Sequence, residues 1–494
     1  MAFVSTRGAE RVSAPEAIVR GIAPDGGLYA PETLPRWTRE DFDALSQKDY
    51  PARAALILSQ LLDGFTEKEL LAMTKGAYAR FSVPEVAPVR PLSDSRAVLE
   101  LFHGPTMAFK DMALQMLPRL LTASARKQGE TREIAILTAT SGDTGKAALE
   151  GFQDVEGTSV TVFYPLGGVS AVQEKQMVTS RGSNVHVTAV RGNFDDAQTG
   201  VKKLFADPDF IGKMNALGKT LSSANSINLG RLAPQVAYYL SSCADLLASK
   251  TIDWETGVNI CVPTGNFGNI LAAWYAKRMG APIRKLICAS NRNDVLTDFI
   301  RTGVYNKRRP FHKTISPSMD ILISSNLERF LLELADGDAE QVRQWMESLS
   351  ETGEYHIGPD KLARMRETFF GGCADDEKTK AAIGRVWQEE KYLMDPHTAV
   401  AEAVASNYRT ETGDQTPILI VSTASPYKFA ADVADAIGVP VSGDAFDAAQ
   451  ELEAATGVPA PKQVAELKSL PVLHSRVCEK DRMGEAVLAA FRED

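Results

Sequence analysis

Short apolar runs alternate with helix-like segments along most of this chain. From about residue 94 onward, the runs have the length of buried strands and lie at 134–137, 160–164, 185–190, 258–262, 285–289 and 417–421. Such alternation is typical of parallel sheets covered by helices. We therefore expect an α/β protein whose ligands bind beyond the carboxyl ends of its strands.

The first 93 residues have a different pattern. Segments rich in Pro and Gly separate helical stretches at 53–63 and 67–80, and no alternation of strands and helices is visible. Residues 306–385 contain charged helical stretches typical of an insertion, and residues 444–494 are predicted to be terminal helices. The predicted parts are an N-terminal cap domain, a smaller α/β domain and a larger α/β domain, at 1–93, 94–190 and 191–494.

Composition excludes several classes of function. The 494 residues are 44% hydrophobic and 24% charged, with a net charge of −9 and no clustered basic run. This balance is ordinary for a globular protein and argues against a nucleic-acid surface. No apolar run reaches membrane-spanning length, and the first residues lack the apolar core of a secretion signal. We expect a cytoplasmic protein without a nucleic-acid, membrane or obligate protein partner.

The cysteines and histidines predict no metal site. The five cysteines form no C-x-x-C pair, and the six histidines are scattered without metal-ligand spacing. Reduced, buried thiols are expected.

Lys110 is the first candidate for catalysis. It follows a Gly-Pro-Thr turn and lies in a run with helical apolar spacing, between Phe109 and Met112. Apolar neighbours destabilise a charged ammonium and lower its pKa, as a nucleophilic or Schiff-base lysine requires. This segment alone leaves a solvated helix lysine as the alternative.

Two loops join predicted strands to predicted helices. In residues 264–269, Gly265 and Gly268 allow an anion to approach the free amides of a helix N-terminus, although an ordinary connecting loop has the same pattern. Residues 138–146 form the second loop. It is not a Walker loop, because Thr140 stands at the first glycine position and Ala147 follows the lysine.

Several motifs follow one another in order between about residue 4 and residue 429. They lie at 103–111, 140–145, 223–228, 263–268, 323–329, 395–399 and 422–426. In this combination the chain resembles the fold-type II enzymes that use pyridoxal phosphate (PLP), and among them the threonine synthase family in its yeast and bacterial branch. The resemblance implies two parallel-sheet α/β domains with the cofactor between them, and an N-terminal cap domain.

The resemblance also implies roles for individual residues. Lys110 would form a Schiff base with PLP and move protons, Thr423 would face the pyridine nitrogen, and Asp143 would lie beside the cofactor's 3-oxygen, where related enzymes often carry Asn. The cofactor phosphate would be bound by Gly265, Asn266, Phe267, Gly268 and Asn269.

The reaction implied is the conversion of O-phospho-L-homoserine and water to L-threonine and phosphate, by γ-elimination and β-hydration. Arg231 would bind the substrate phosphate, because a guanidinium can donate two parallel hydrogen bonds to it. Neutral donors to the substrate are expected from Asn225, Ser226 and Thr144 for the phosphate, and from Thr140 and Ser141 for the α-carboxylate. His397 is expected to be structural, since Asp395 and Pro396 before it begin a helix.

Two alternatives remain at this point. The chain could be a PLP-dependent β-eliminase acting on serine or threonine, or a non-catalytic protein similar to threonine synthase. Arg231 and the N-terminal cap favour the phosphorylated substrate, and Lys110 with both loops argues against loss of catalysis.

Overall fold

Two mainly parallel sheets organise the chain in this computed structural model, which describes residues 2–93, 95–140 and 142–491. The strands of the six-stranded sheet are parallel, except for the first of the chain, which is antiparallel to its neighbour. Their order is Phe369–Cys373, Ile283–Ser290, Val258–Pro263, Ile418–Ser422, Arg96–Glu100 and Val89–Pro91. The five-stranded sheet is parallel throughout, in the order Arg476–Glu479, Val185–Arg191, Thr158–Pro165, Glu133–Ala139 and Lys219–Ser222.

Burial explains why the central strands read as continuous apolar runs. Every residue of Val258–Pro263, Thr158–Pro165 and Ile418–Ser422 is buried. Helices cover both faces of a parallel sheet, so neither face selects polar side chains. All six predicted strands are present, with ends shifted by one or two residues.

The N-terminal part contains a small antiparallel sheet and four helices. Its strands are Arg11–Val12, Phe3–Ser5 and Tyr29–Pro31. Its helices are Ala14–Arg20, Arg39–Ser46, Tyr50–Leu61 and Glu67–Tyr78, which confirms both predicted helical stretches. A capping box between Thr66 and Glu69 begins the last of them by satisfying free amides.

The remaining helices surround the two sheets. In the amino-terminal half of the chain they are Lys110–Leu114, Leu117–Lys127, Asp143–Phe152, Ala171–Val178, Phe194–Ala206, Pro208–Ala216 and Leu229–Ala248. Those that follow are Gly268–Met279, Val295–Thr302, Leu327–Leu334, Ala339–Glu351, Pro359–Thr368, Asp376–Glu390, Pro396–Thr412, Ala430–Ala436, Ala445–Thr456, Lys462–Ala465 and Met483–Ala490. Short 3₁₀ turns lie at Pro317–Met319, Pro426–Phe429 and Leu467–Ser469, and Val304–Asn306 pairs with Glu354–His356 in a two-stranded antiparallel sheet. None of the described helices is long and apolar enough to span a membrane.

The sheets cross the domain limits expected at residues 94 and 190. Arg96–Glu100 lies in the larger sheet beside Ile418–Ser422, although the sequence assigns it to the smaller domain. Conversely, Lys219–Ser222 is assigned by the sequence to the larger domain but pairs in parallel with Glu133–Ala139 of the smaller sheet. Partners that lie far away along the chain decide which sheet a strand joins, so the order of elements along the chain does not reveal it.

The C-terminal region also differs from the prediction of terminal helices. Arg476–Glu479 is a strand at the edge of the smaller sheet, paired with residues 188–191. Its four residues are too short to produce a periodic signal. The expected burial of thiols holds for Cys243, Cys261 and Cys288 and is wrong for the exposed Cys373 and the half-buried Cys478, because both lie on edge strands.

Candidate active site

The predicted site residues lie on the loops and first helical turns that follow the carboxyl ends of their strands. In the larger sheet, Arg96–Glu100, Ile418–Ser422 and Val258–Pro263 are adjacent, and the segments after them contain Lys110, Thr423 and the loop 264–267. In the smaller sheet, Glu133–Ala139 and Lys219–Ser222 are adjacent, and Asp143 and the segment 223–228 follow them. Ligands of parallel α/β sheets bind at this end of the sheet, beyond the carboxyl ends of the strands.

Backbone contacts join the Lys110 segment to the Thr423 segment. The Phe109 amide donates to the Thr423 carbonyl at 2.8 Å, and the Ser425 amide donates to the Met107 carbonyl at 3.0 Å. These bonds place Lys110 one residue beyond a fixed contact with Thr423. The structure thus brings together two residues separated by more than three hundred positions.

Asp111 shapes the turn that precedes Lys110. Its carboxylate accepts from the Thr106 amide at 2.8 Å and from the Thr106 hydroxyl at 2.7 Å. Only glycine fits at residue 104, because a Cβ there would lie 2.4 Å from Asp111. Burial raises the pKa of Asp111 to about 6. The turn motif therefore has a structural role of its own, which the sequence did not suggest.

Lys110 occupies a polar niche with little access to solvent. Its Nζ donates to Ser318 Oγ at 3.2 Å and lies 3.7 Å from Asp143 Oδ2. Burial lowers the pKa of Lys110 and is the main effect; Asp143 opposes it, while Lys428 and Arg231 add to it. The expected direction of the shift is present, although two cations contribute as well as the apolar neighbours.

Lys428 is a site residue that the sequence did not reveal. Its side chain is 1% exposed, and Nζ lies 2.7 Å from Asp143 Oδ1 and donates to the Thr106 carbonyl at 3.0 Å. Burial alone would raise the pKa of Asp143, but Lys428 and Lys110 outweigh it and hold the carboxyl below its usual range. Asp143 therefore stays ionised between two lysines.

The loop 264–269 provides a set of unsatisfied amides. Thr264 donates its amide to the Ala289 carbonyl, and Leu271 donates to the Phe267 carbonyl, but residues 265–270 between them donate to none of the described residues. They surround the start of the twelve-residue helix Gly268–Met279, where amides and the helix dipole favour an anion. The loop thus fits the phosphate of PLP.

Side chains around this loop hold its shape. Asn269 Oδ1 accepts from the hydroxyls of Tyr238 at 2.5 Å and Tyr239 at 2.6 Å, so the side chain is engaged inside the protein. Phe267 is buried with a φ of 62°, whereas Asn266 is exposed. The backbone at these positions, more than their side chains, is available to a phosphate.

Arg231 is a buried cation without an acidic partner among the described residues. Its side chain donates from Nη1 to the Ala224 carbonyl at 2.8 Å, and its buried Nε has no acceptor. The residue is 3% exposed, and burial lowers the pKa of its guanidinium to about 10. An unpaired buried cation is costly unless an anion joins it. These properties fit the predicted phosphate site.

The neutral residues of the predicted substrate set have different surroundings. Asn225 is exposed, Thr144 is half-buried, and the Ser226 hydroxyl lies 3.5 Å from that of Ser325. Thr140 is buried, and its hydroxyl accepts from the amides of Gly142 at 3.0 Å and Gly145 at 2.9 Å. Thr140 thus shapes its own loop. Ser141 lies outside the described residues.

His397 contacts Lys110 indirectly, through Ser318. Its Nδ1 lies 2.7 Å from Asp395 Oδ1, and its Nε2 accepts from the Ser318 amide at 3.1 Å. Ser318 in turn accepts from Lys110. No pattern in the sequence marks Ser318 as a site residue, because it lies in the segment predicted to be an insertion.

Comparisons with known proteins identify the family of this chain. Family models described as "Threonine synthase N terminus", "Pyridoxal-phosphate dependent enzyme" and "Threonine synthase, C-terminal" match residues 2–78, 95–365 and 398–481. A threonine synthase from Pseudomonas aeruginosa is 38% identical over 431 residues, which cover 87% of this chain and 89% of that protein. This chain belongs to the threonine synthase family.

Solved threonine synthases share the whole fold. The PLP-bound enzyme from Brucella melitensis is 37% identical with a TM-score of 0.89, and each chain is covered completely. The yeast enzyme is 31% identical with a TM-score of 0.90, over 100% of this chain and 99% of that one. These findings confirm the predicted fold-type II class and the PLP cofactor.

Longer relatives also match. Threonine synthase-like 1 of Homo sapiens is 38% identical over 503 residues, which cover 98% of this chain. The chain spans 65% of the length of that protein and of its Pongo abelii counterpart.

Proposed function

We propose that this protein converts O-phospho-L-homoserine and water to L-threonine and phosphate, as a PLP-dependent carbon–oxygen lyase. The observation that carries the proposal is Arg231, a buried guanidinium with a free Nε and no acidic partner among the described residues. It is near enough to Lys110 for its charge to lower the pKa of that lysine. A site for an anionic leaving group thus adjoins the proposed catalytic amine.

The residues of the site fit PLP. The free amides of 265–270 would hold its phosphate, Lys110 would bind it covalently, and Thr423 would face the ring nitrogen. When bound, PLP supplies an electron-accepting system that stabilises negative charge on substrate carbons. Thr423 carries no charge, so it cannot keep the ring nitrogen protonated as an aspartate would.

Lys110 would move the protons of the reaction. A depressed pKa makes the neutral amine of Lys110 more accessible. The amine would take a proton from carbon α of the substrate and, after releasing it, take another from carbon β. Ser318 and Asp143, at 3.2 and 3.7 Å from Nζ, would orient the amine between these positions.

Arg231 would act on the leaving group. Phosphate departs from carbon γ as a dianion, and a charge-assisted bond to the buried guanidinium would stabilise that charge. Water then adds at carbon β. Asn225, Ser226 and Thr144 would supply further donors, and Thr140 and Ser141 remain the proposed ligands of the α-carboxylate.

A comparison of three substrates tests the proposal. The purified protein with PLP is offered O-phospho-L-homoserine, L-serine or L-threonine, and phosphate, threonine and oxo acids are measured. We expect equal amounts of phosphate and threonine from the first substrate. Oxo-acid formation from serine or threonine without threonine synthesis would make the protein a β-eliminase. No turnover of any substrate would leave a non-catalytic relative.

The role of Lys110 has its own test. Borohydride reduction followed by peptide mapping should place the pyridoxyl label on Lys110. Lys428 is the internal control, because it is a second buried lysine next to the same carboxylate. A label on Lys428 would contradict the assignment. Lys110→Ala should fold and lose all turnover.

A further inference from the structure

We infer that Lys428 is a positioning residue, which binds the Asp143 carboxylate and so lets Lys110 release its proton. The inference rests on the proposed function, in which Lys110 binds the cofactor and moves protons. It adds a second lysine, which takes no part in covalent chemistry.

The two lysines contact Asp143 unequally. Lys428 Nζ is 2.7 Å from Oδ1, whereas Lys110 Nζ is 3.7 Å from Oδ2. Gln173 Nε2 also donates to Oδ1, at 3.3 Å. One carboxylate oxygen therefore has two donors, and the other faces Lys110 beyond hydrogen-bond distance. This asymmetry makes Lys428 the main counterion of Asp143.

Lys428 is held in place on its other side. Its ammonium also donates to the Thr106 carbonyl at 3.0 Å, in the turn that Asp111 fixes. The 3₁₀ turn Pro426–Phe429, which contains Lys428, begins three residues after Thr423. A side chain that is 1% exposed, with two acceptors on different segments, has little freedom to leave Asp143.

The consequence for Lys110 follows from charge. A carboxylate paired with Lys110 alone would favour the ammonium form and keep the proton on the amine. A second cation at 2.7 Å from the same carboxylate offsets that attraction. The other charged or titratable groups around Lys110 are Asp111 on its own helix, Arg231 on Leu229–Ala248 and His397 behind Ser318.

The experiment measures cofactor capture by the apoprotein. Only the neutral amine of Lys110 adds to the PLP aldehyde, so the absorbance-monitored rate of capture against pH reports the proton affinity of Lys110. Lys428→Met should move the midpoint of this profile upward by about one pH unit, within the range for a charge pair at this distance. Lys428→Arg keeps the charge and should leave the midpoint near that of the wild type.

A double variant separates this role from simple support of the fold. In Asp143→Asn with Lys428→Met, no carboxylate remains to hold the proton on Lys110, so the midpoint should return to the wild-type value or below it. Lys428→Gln keeps a donor for Thr106 without the charge. It should behave like Lys428→Met and serves if that variant does not fold.

The outcomes are distinct. An unchanged midpoint in both neutral variants, or a double variant that stays at the raised midpoint, would overturn the inference. A wild-type apoprotein that does not bind PLP through Lys110 would instead overturn the proposed function. Circular dichroism of each apoprotein confirms that folded proteins are being compared.

Discussion

Arg231 and Arg329 are two arginines that the fold removes from solvent. Their relative exposures are 3% and 0%, and burial lowers the pKa of each guanidinium to about 10. Their hydrogen bonds differ. Among the residues that the structure describes, Arg231 has one acceptor, the Ala224 carbonyl, and its Nε has none.

Arg329 uses all three nitrogens of its guanidinium. It donates to the Tyr29 carbonyl at 2.8 Å, to Asn326 Oδ1 at 2.5 Å and to the Ile227 carbonyl at 2.5 Å. Asn326 in turn donates twice to the Asn266 carbonyl, at 3.0 and 3.1 Å. Arg329 thus connects the N-terminal sheet, the segment 223–228 and the proposed phosphate loop.

The comparison shows how to distinguish a binding cation from a supporting one. Burial and charge are equal in the two residues, so neither identifies function. What differs is the number of donors that the protein leaves unsatisfied. An unsatisfied buried donor costs free energy that a ligand can recover, whereas a satisfied one holds the protein together.

The largest expected effect comes from Arg231→Met. Loss of the charge that binds the leaving phosphate should lower kcat/KM for O-phospho-L-homoserine by about 30- to 1000-fold, or about 2–4 kcal/mol. Steady-state kinetics measures it, and Arg231→Lys should recover part of the loss because lysine is a point charge. Urea unfolding of the apoprotein should change little. A large loss of stability with unchanged kinetics would reverse the assignment.

Arg329→Met is the matched substitution and should have the opposite profile. It removes three hydrogen bonds and leaves buried acceptors unpaired, which should lower the free energy of unfolding by about 2–3 kcal/mol. Urea unfolding of the apoprotein measures this loss. The folded fraction should keep a KM closer to that of the wild type than Arg231→Met does. Stability equal to the wild type would show that the three bonds are not structural.

Gly268→Ala tests whether backbone amides, like the Arg231 side chain, are donors that bind a ligand. A Cβ there meets Asn326 at 3.4 Å and Gln235 at 3.9 Å, so the fold tolerates it, but it would crowd a bound phosphate. We expect PLP affinity to fall about tenfold, or about 1.4 kcal/mol, in an absorbance titration. Gly212→Ala, on a helix with nothing within 4 Å of the new Cβ, is the control. Equal affinity in both variants would remove the loop from the cofactor site.

Inorganic phosphate should produce the smallest effect. In the holoprotein the cofactor site is filled, so added phosphate can bind only at the substrate site. At about five times its dissociation constant it should stabilise the wild type by about 1 kcal/mol. Arg231→Met should show no such gain in urea unfolding. A gain that survives the substitution would place the substrate's phosphate site elsewhere.

The sequence predicted those parts of the site that depend on residues close together along the chain. A strand, a glycine-rich turn and a helix follow one another at residues 258–279, and Lys110 stands among apolar neighbours directly after its turn. The α/β class followed from the same alternation. Local periodicity and turn chemistry depend on residues a few positions apart, so they can be read without the fold.

Other features depend on distant partners. Lys428 contacts Thr106 across 322 positions, and Lys110 contacts Ser318 across 208. No local pattern marks either contact, because lysine and serine in short turns are common. The strands 96–100, 219–222 and 476–479 joined sheets other than those their places in the chain suggested, for the same reason.

By itself, the sequence determined the α/β class of the fold, the position of a lysine among apolar neighbours and the two glycine-rich loops, since each is a short-range pattern with its own chemistry. The tertiary structure alone decided which cations are satisfied. Arg231 and Arg329 are the same residue type on two helices, and only the positions of carbonyl groups from other segments leave one with a free donor and the other with none. Burial raises the free-energy cost of a donor without an acceptor. Long-range packing determines which buried donors lack an acceptor, and a ligand that supplies one removes the cost.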